Sequence, residues 1–381
     1  MTRPIVTLVY NTCVYVVRFR LQLIAALQAA GYEVIVVAPT DEATPWLAER
    51  GIVHHPITMS QYGMNPLAEL RSIREIRGIL EELRPVASLH YTIKPNTFGS
   101  MAAHQAGVPV LNNIAGAGRA FSGGNPVMKA LVIQLYRFGL RRSHTVFFQN
   151  GDDMAVFRKA GLVRDAQCVR IPGSGVDLVR FTATPLPRGP IRFLFVGRLL
   201  WEKGVAEFLE AANAMLADAP DPDCLRFDLV GELEEDQGYI SRADLERLTQ
   251  APQISYHGTV PPEKIDGMMR DTTCVVLPSY YGEGVPRVLL EACASGRPII
   301  TTDNVGCRDV VEDGVNGFKA PVRDTKALAN AMRSMAQLSP DDRHRMALAA
   351  RATAERKFNE DYVIEAYRRA IAAIAGQKLS P

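Results

Sequence analysis

The sequence predicts an α/β protein of two Rossmann-like domains facing a central cleft, with a C-terminal helix packing across the domains. Three observations carry this expectation. The chain has 381 residues, more than one hydrophobic core usually spans. Short apolar runs alternate with amphipathic stretches along most of it, the pattern of parallel strands joined by crossover helices. The alternation stops at the proline-rich segment Thr182 to Pro190 and then begins again. The expected domains are therefore 1–181 and 191–357, with a linker at 182–190 and a terminal helical segment at 358–381.

In the first half, apolar runs mark strands at Ile5–Tyr10, Glu33–Ala38, His55–Thr58, Val86–His90, Pro109–Asn113, Thr145–Gln149 and Gln167–Ile171. Helical spacing fills the gaps at Val17–Ala29, Pro45–Arg50, Pro66–Leu83, Phe98–Ala106 and Pro126–Arg141. The second half reads strand Ile191–Val196, helix Val205–Ala217, strand Leu225–Val230, helix Arg242–Gln250 and strand Gln253–His257. It continues with helix Pro262–Arg270, strand Thr273–Leu277, helix Pro286–Ser295 and strand Ile299–Thr302. Phe358 to Ala375 has apolar residues at helical spacing.

Composition narrows the class. Apolar residues make up 47% and charged ones 22%, as in a folded soluble protein, and no apolar run approaches a membrane span. The opening Pro4–Tyr10 run reads as a first strand rather than a signal sequence, so the expected location is cytoplasmic. Six scattered cysteines show no CxxC or zinc-like spacing and suit a reducing compartment. Residues 1–180 hold 19 basic against 12 acidic side chains, and the remainder hold 24 against 29. The first half thus favours an anionic partner: lipid headgroups, a diphosphate-linked acceptor or nucleic acid. The arginines of Pro66–Leu83 equally read as a solvated helix face.

The most informative stretch runs from Pro278 to Asp303. A buried strand ends at Pro278, a loop carries Gly282-Glu283-Gly284, and a helix starts at Pro286, which suits a first helical turn. In an open parallel sheet this places the loop at a strand's carboxyl end, with backbone N–H groups aimed outward to hold an anion. Glu283 lies in the loop and Glu291 on the helix, and the two are expected to face one cavity. Taken singly, one reads as a solvated loop acid and the other as a surface helix residue. The second domain opens with a matching feature. Its first strand ends at Val196, Gly197 permits close approach of the backbone to a ligand, and Arg198 and Lys203 supply two fixed cations for a diphosphate. Each cation alone reads equally as a surface charge balanced by Glu202.

Together these motifs are similar to glycosyltransferase family 4. The similarity lies in Gly197-Arg198-Leu199, Glu202-Lys203-Gly204, Pro278-Ser279, Glu283-Gly284-Val285-Pro286, Glu291-Ala292 and Gly296-Arg297-Pro298-Ile299, with seven residues between the two acids. The run Ser174-Gly175-Val176-Asp177 with Phe181 resembles the family's domain junction. The resemblance implies a GT-B fold and a retaining transferase that takes a nucleotide sugar; the expected substrate is a UDP-sugar, with no cofactor. Carried over, it implies that Arg198 and Lys203 bind the donor diphosphate and Glu291 the ribose. Glu283 then binds the donor sugar, and the backbone of Gly284, Val285 and Pro286 its oxygens. The implied catalytic set is Glu283, Arg198 and Lys203.

The first half is less like the family pattern. The first loop is Tyr10-Asn11-Thr12-Cys13 rather than glycine-rich, and the region where a histidine is usual reads Leu111 to Gly118. His90, a lone histidine after an apolar strand, is a loose candidate that reads first as structural. Tyr91-Thr-Ile-Lys-Pro-Asn96 with Asn112-Asn113-Ile114-Ala-Gly116 resembles bacterial members that extend polyprenyl-diphosphate-linked saccharides. That resemblance implies acceptor contacts at Asn11, Thr12, Lys94, Asn113 and Gly116, with Lys94 suited to the acceptor diphosphate. Pro126 to Arg142 sets Met128, Leu131, Val132, Leu135 and Phe138 beside Lys129, Arg137, Arg141 and Arg142, which suits a membrane surface and equally a core.

The expected partners are a nucleotide sugar, a lipid-diphosphate-linked saccharide and the cytoplasmic face of the inner membrane, held peripherally, with no nucleic acid. Asp221-Pro222-Asp223 reads as a turn rather than a metal-binding pair, so no metal is expected. Two other readings stay open: a UDP-sugar epimerase of the same architecture, and a non-catalytic protein that binds a nucleotide sugar.

Overall fold

The computed structural model describes residues 3–61, 63, 65–118, 126–234 and 238–376. The chain forms two compact units, Met1–Ser174 with Asp361–Pro381, and Gly175–Glu360.

In the first unit β1 (Ile5–Val9), β2 (Glu33–Ala38), β3 (Val53–Pro56), β4 (Ala87–Tyr91), β5 (Val110–Ile114), β6 (Thr145–Phe148) and β7 (Cys168–Arg170) form a parallel sheet of order β3-β2-β1-β4-β5-β6-β7. β4, β5 and β6 are buried along their whole length, as strands covered on both faces must be. Alternation along β1 sends Val6 and Leu8 into one core and Val9 into the other. The helix Glu360–Ala375 supplies Val363, Tyr367 and Ile371 to the first of these.

The helix expected as Val17–Ala29 is two helices, Cys13–Phe19 and Leu21–Ala29. At the break Arg20 leaves helical geometry, stays buried, donates Nε to the Tyr10 hydroxyl at 2.7 Å and lies over the Tyr91 ring at 4.2 Å. Gly151–Lys159, Thr325–Gln337 and Pro340–Thr353 are helices that periodicity did not single out.

In the second unit β8 (Ile191–Val196), β9 (Leu225–Val230), β10 (Ile254–Tyr256), β11 (Cys274–Leu277), β12 (Ile299–Thr302) and β13 (Gly317–Ala320) form a parallel sheet of order β10-β9-β8-β11-β12-β13. Counted within its unit this is 3-2-1-4-5-6, the doubly wound order, and the first sheet repeats it with one strand added. In each sheet the connections reverse direction between the first and fourth strands, and ligands bind outside the strand ends at such a point. These two places are β1/β4 and β8/β11.

The proline-rich segment expected as a linker lies in the second unit, beyond the crossing at Ser174 and Gly175. Arg297, wholly buried, pins it by donating to the carbonyl oxygens of Thr184 at 3.0 Å and Pro185 at 3.2 Å. Burial pushes the Arg297 pKa down to about 10, against the opposing pull of the Asp271 carboxylate.

Candidate functional site

At the β8/β11 point the chain leaves β8 through Gly197 and Arg198, makes one short turn at Trp201–Lys203 and enters the helix Val205–Asp218. It leaves β11 through Pro278 and Ser279 and enters the helix Arg287–Ala294 at Pro286. The two loops touch because Gly204 is left-handed at φ 78° and has no Cβ, leaving room for the Pro278 carbonyl against it. Gly306, at φ 77°, gives the Gly284 carbonyl the same close approach from behind.

This packing brings together residues far apart in sequence. The Lys203 ammonium lies 2.5 Å from Glu283 Oε2, both side chains keeping slight exposure at 13% and 14%. Ser279 Oγ donates to Glu283 Oε1 at 2.9 Å, so each carboxylate oxygen has a partner. Ser279 is a residue that sequence reasoning quoted in a motif without giving it a role. Its closeness to the loop acid is a product of the turn, in which the Tyr280 N–H also donates to the Glu202 carbonyl at 2.8 Å. Arg198 lies against Tyr239, whose hydroxyl donates to Glu234 at 2.8 Å. Burial and the Glu234 carboxylate push Tyr239 up to about 12, against the opposing pull of Arg198.

Neither helix here is closed by a side chain, since Gly204 and Pro286 stand at the N-cap positions. Their N-termini present positive dipole ends, the first of them directly after Lys203, an environment that favours a polyanion. Glu291, one turn into its helix, accepts from Arg287 Nε at 2.9 Å. Burial raises its pKa above the usual carboxylate range, opposed by Arg287 and by Arg180. Arg180 makes a two-pronged bond to Asp266 at 3.0 and 3.1 Å. Gly284, Val285 and Pro286 are buried.

The β1/β4 point is built differently. The first loop leads into Cys13–Phe19, and that helix start is occupied by Asp41, a residue the sequence reading passed over. The Cys13 N–H and the Thr12 hydroxyl donate to Asp41 Oδ2 at 2.7 and 2.6 Å, and the Thr12 oxygen accepts from the Val14 N–H. Asn11 Oδ1 accepts from the Thr92 hydroxyl at 3.0 Å.

Lys94, expected to meet an acceptor diphosphate, is buried, with its ammonium 2.6 Å from Glu69 Oε1 and 2.5 Å from Ser60 Oγ. The other Glu69 oxygen is buried without a hydrogen-bond partner. Asn113 is buried too and donates to the Tyr367 hydroxyl at 2.8 Å, tying β5 to the C-terminal helix. Gly116 stands on the loop after β5 at φ 127°, at the sheet edge where the sequence places it. His90 is wholly buried; its Nδ1 donates to the Pro95 carbonyl and its Nε2 accepts from Ser88, both at 2.8 Å. Burial pushes its pKa down to about 3, so it is a neutral structural tautomer.

Asp221 caps its own turn, accepting from the Asp223 N–H at 3.1 Å. Among the described residues no group of three or more His, Cys, Asp or Glu side chains is placed to hold a metal ion. Also among them, no helix is long and apolar enough to cross a membrane.

Residues 180–353 match the family model described as glycosyl transferases group 1, and residues 16–174 match a glycosyl transferase 4-like domain. The N,N'-diacetylbacillosaminyl-diphospho-undecaprenol alpha-1,3-N-acetylgalactosaminyltransferase of Campylobacter jejuni is 28% identical over 368 residues, 92% of this chain and 93% of its own. The UDP-Gal:alpha-D-GlcNAc-diphosphoundecaprenol alpha-1,3-galactosyltransferase of Escherichia coli is 25% identical over 281 residues, 70% of each chain. Among solved structures, a glycosyltransferase from Rickettsia africae superposes with TM-score 0.80 at 16% identity, covering 99% of this chain and 100% of its own. Anabaena HepE in complex with UDP and glucose does so with TM-score 0.80 at 18% identity, covering 97% and 100%.

Proposed function

Because this chain belongs to the glycosyl transferases, joining a 4-like domain to a group 1 domain on a GT-B fold, we propose that it extends a polyprenyl-diphosphate-linked saccharide with a hexose or N-acetylhexosamine from a UDP-sugar, with retention. The observation that carries the donor half is the Lys203–Glu283 pair across the β8/β11 point, with two helix starts without side-chain caps on the same two loops. Held against each other, these two charges keep one geometry. The donor diphosphate takes over the ammonium, and sugar hydroxyls take over the carboxylate.

As the bond from the sugar's anomeric carbon to the diphosphate breaks, negative charge grows on the departing oxygen. Lys203, Arg198 and the N-terminus of Arg287–Ala294 stabilise it where it is greatest. The acceptor hydroxyl forms the new bond on the same face and gives its proton to the departing diphosphate. Glu291 accepts from the ribose hydroxyls, and Glu283 orients the sugar.

The acceptor half rests on the two undecaprenol-linked relatives and on the helix Pro126–Leu140. Val127, Met128, Leu131 and Phe138 share an exposed face of that helix, with Val127 75% and Phe138 63% accessible. Lys129, Arg137, Arg141 and Arg142 lie on or just beyond it, with no acid from 126 to 142. A basic, apolar helix face suits peripheral contact with the anionic cytoplasmic leaflet.

The test is UDP release over a panel of UDP- and GDP-sugars with membrane lipid extract as acceptor. Release with one UDP-sugar, dependent on the extract and insensitive to EDTA, supports the reading. Silence with every donor contradicts it, and conversion of the sugar without UDP release points to an epimerase.

A further inference from the structure

The segment after β4 concentrates unfavourable backbone geometry at the first unit's switch point. Thr92 is β-branched yet sits at φ 65°, in the left-handed region such side chains rarely adopt. Lys94 is helical, at φ −67° and ψ −48°, directly before Pro95, which disfavours that conformation. Pro95–Gly99 then forms a π-type turn, a geometry that is rare and clusters at functional sites. Such features persist only where the surroundings over-determine them. Here His90 Nδ1 holds the Pro95 carbonyl at 2.8 Å, Asn96 Nδ2 donates to the Asn113 carbonyl at 2.8 Å, and the Lys94 ammonium is locked to Glu69 at 2.6 Å.

What this framework fixes is the Thr92 hydroxyl. It donates to Asn11 Oδ1 at 3.0 Å and so joins the carboxyl ends of β1 and β4. The neighbouring charges are already met: Lys94 by Glu69, and the helix start at Cys13 by Asp41. Thr92 is half-buried, and Ile93 beside it is exposed. A switch point that presents a hydroxyl, a carboxamide and one apolar side chain among its described residues suits the hydroxyls and C–H face of a sugar. Lys94 and the helix start at Cys13, each already paired, are poor partners for a diphosphate.

Building on the transferase reading above, we propose that Thr92 and Asn11 read the uncharged terminal sugar of the acceptor, and that the acceptor's diphosphate is held away from this point. Thr92 is thus a positioning and specificity residue whose strain is retained for function.

The experiment uses the full chain with the UDP-sugar found active and two acceptor probes sharing one terminal sugar, a saccharyl-diphospho-farnesol and the corresponding phosphate-free octyl glycoside. Thr92→Gly is expected to raise the melting temperature, because the left-handed strain is relieved. It should also raise the acceptor KM about tenfold, the worth of one hydrogen bond, by the same factor for both probes. Thr92→Ser, which keeps the hydroxyl, restores KM. A Thr92→Gly variant whose acceptor KM is unchanged, or rises only for the diphosphate-linked probe, overturns the proposal and leaves the transferase reading standing. A wild-type protein inert with every donor overturns that reading, and this proposal with it.

Discussion

The two switch points share a strand order and each holds a Lys–Glu pair, yet they differ in where the pair comes from. Lys203 and Glu283 arise from the two loops that leave the reversing strands β8 and β11, so their pair bridges the crevice itself. Lys94 leaves β4, but Glu69 arises from the helix Pro66–Leu83, behind the crevice, and the pair is packed away. The helix starts differ in the same sense. In the second unit Gly204 and Pro286 leave two N-termini without side-chain caps, while in the first Asp41 and Thr12 close the helix that follows β1. One frame is thus poised for a polyanion, and the other has spent its charges on itself.

The contrast breaks most sharply at the lysines. Replacing Lys94 with Met leaves Glu69 buried and unpaired, which costs about 3–5 kcal/mol of stability. Chemical denaturation measures this, and a midpoint near that of the wild type would mean that Lys94 is not committed to Glu69. Lys203→Ala is expected to act on turnover instead, lowering kcat roughly 10²–10³-fold, as loss of one preorganised charge-stabilising donor does. A kcat within a fewfold of the wild-type value removes Lys203 from the site.

A pH-dependent effect tests the structural reading of His90. Its folded pKa of about 3 lies below the unfolded value, so the unfolded chain takes up the proton first as pH falls. The stability His90 contributes is complete above about pH 6.5 and is lost on acidification towards pH 3, with a slope of about 1.4 kcal/mol per pH unit. Measured against wild type, His90→Asn should flatten that slope. An unchanged slope refutes the assignment.

The smallest expected change is at Glu291. Because burial raises its carboxyl pKa, the donor KM should climb on the acid side at a pH above the ordinary carboxylate range. In Glu291→Gln this acid limb disappears; its persistence would assign it to another group.

Much of the fold was legible because both sheets are parallel and buried. Ile191–Val196, Leu225–Val230 and Ile299–Thr302 stand as strands at the bounds that apolar runs set, and Pro66–Leu83 and Pro262–Arg270 as helices between a starting proline and the end of the periodic pattern. β13 escaped because Gly317–Ala320 is short and interrupted by Lys319. At the second unit's site, a strand, glycine loop and helix start are contiguous in sequence, so local chemistry pointed to the residues. Ser279 needed only the turn to bring it to Glu283. The first unit's site is made by long-range contacts. Asp41 reaches Cys13 from the end of the next strand, Glu69 reaches Lys94 across 25 positions, and nothing about a threonine announces a left-handed backbone. Lys94 looked like a free cation in sequence because its counter-charge lies on another element.

On the proposed function, the second unit's switch point binds the nucleoside diphosphate and the first unit's does not. Amide hydrogen exchange on the full chain, with and without UDP, tests it directly. Exchange is expected to slow in residues 197–206 and 279–290, with no slowing in 10–14 or 92–99. Protection at 10–14 or 92–99, or its absence at 197–206, would contradict it.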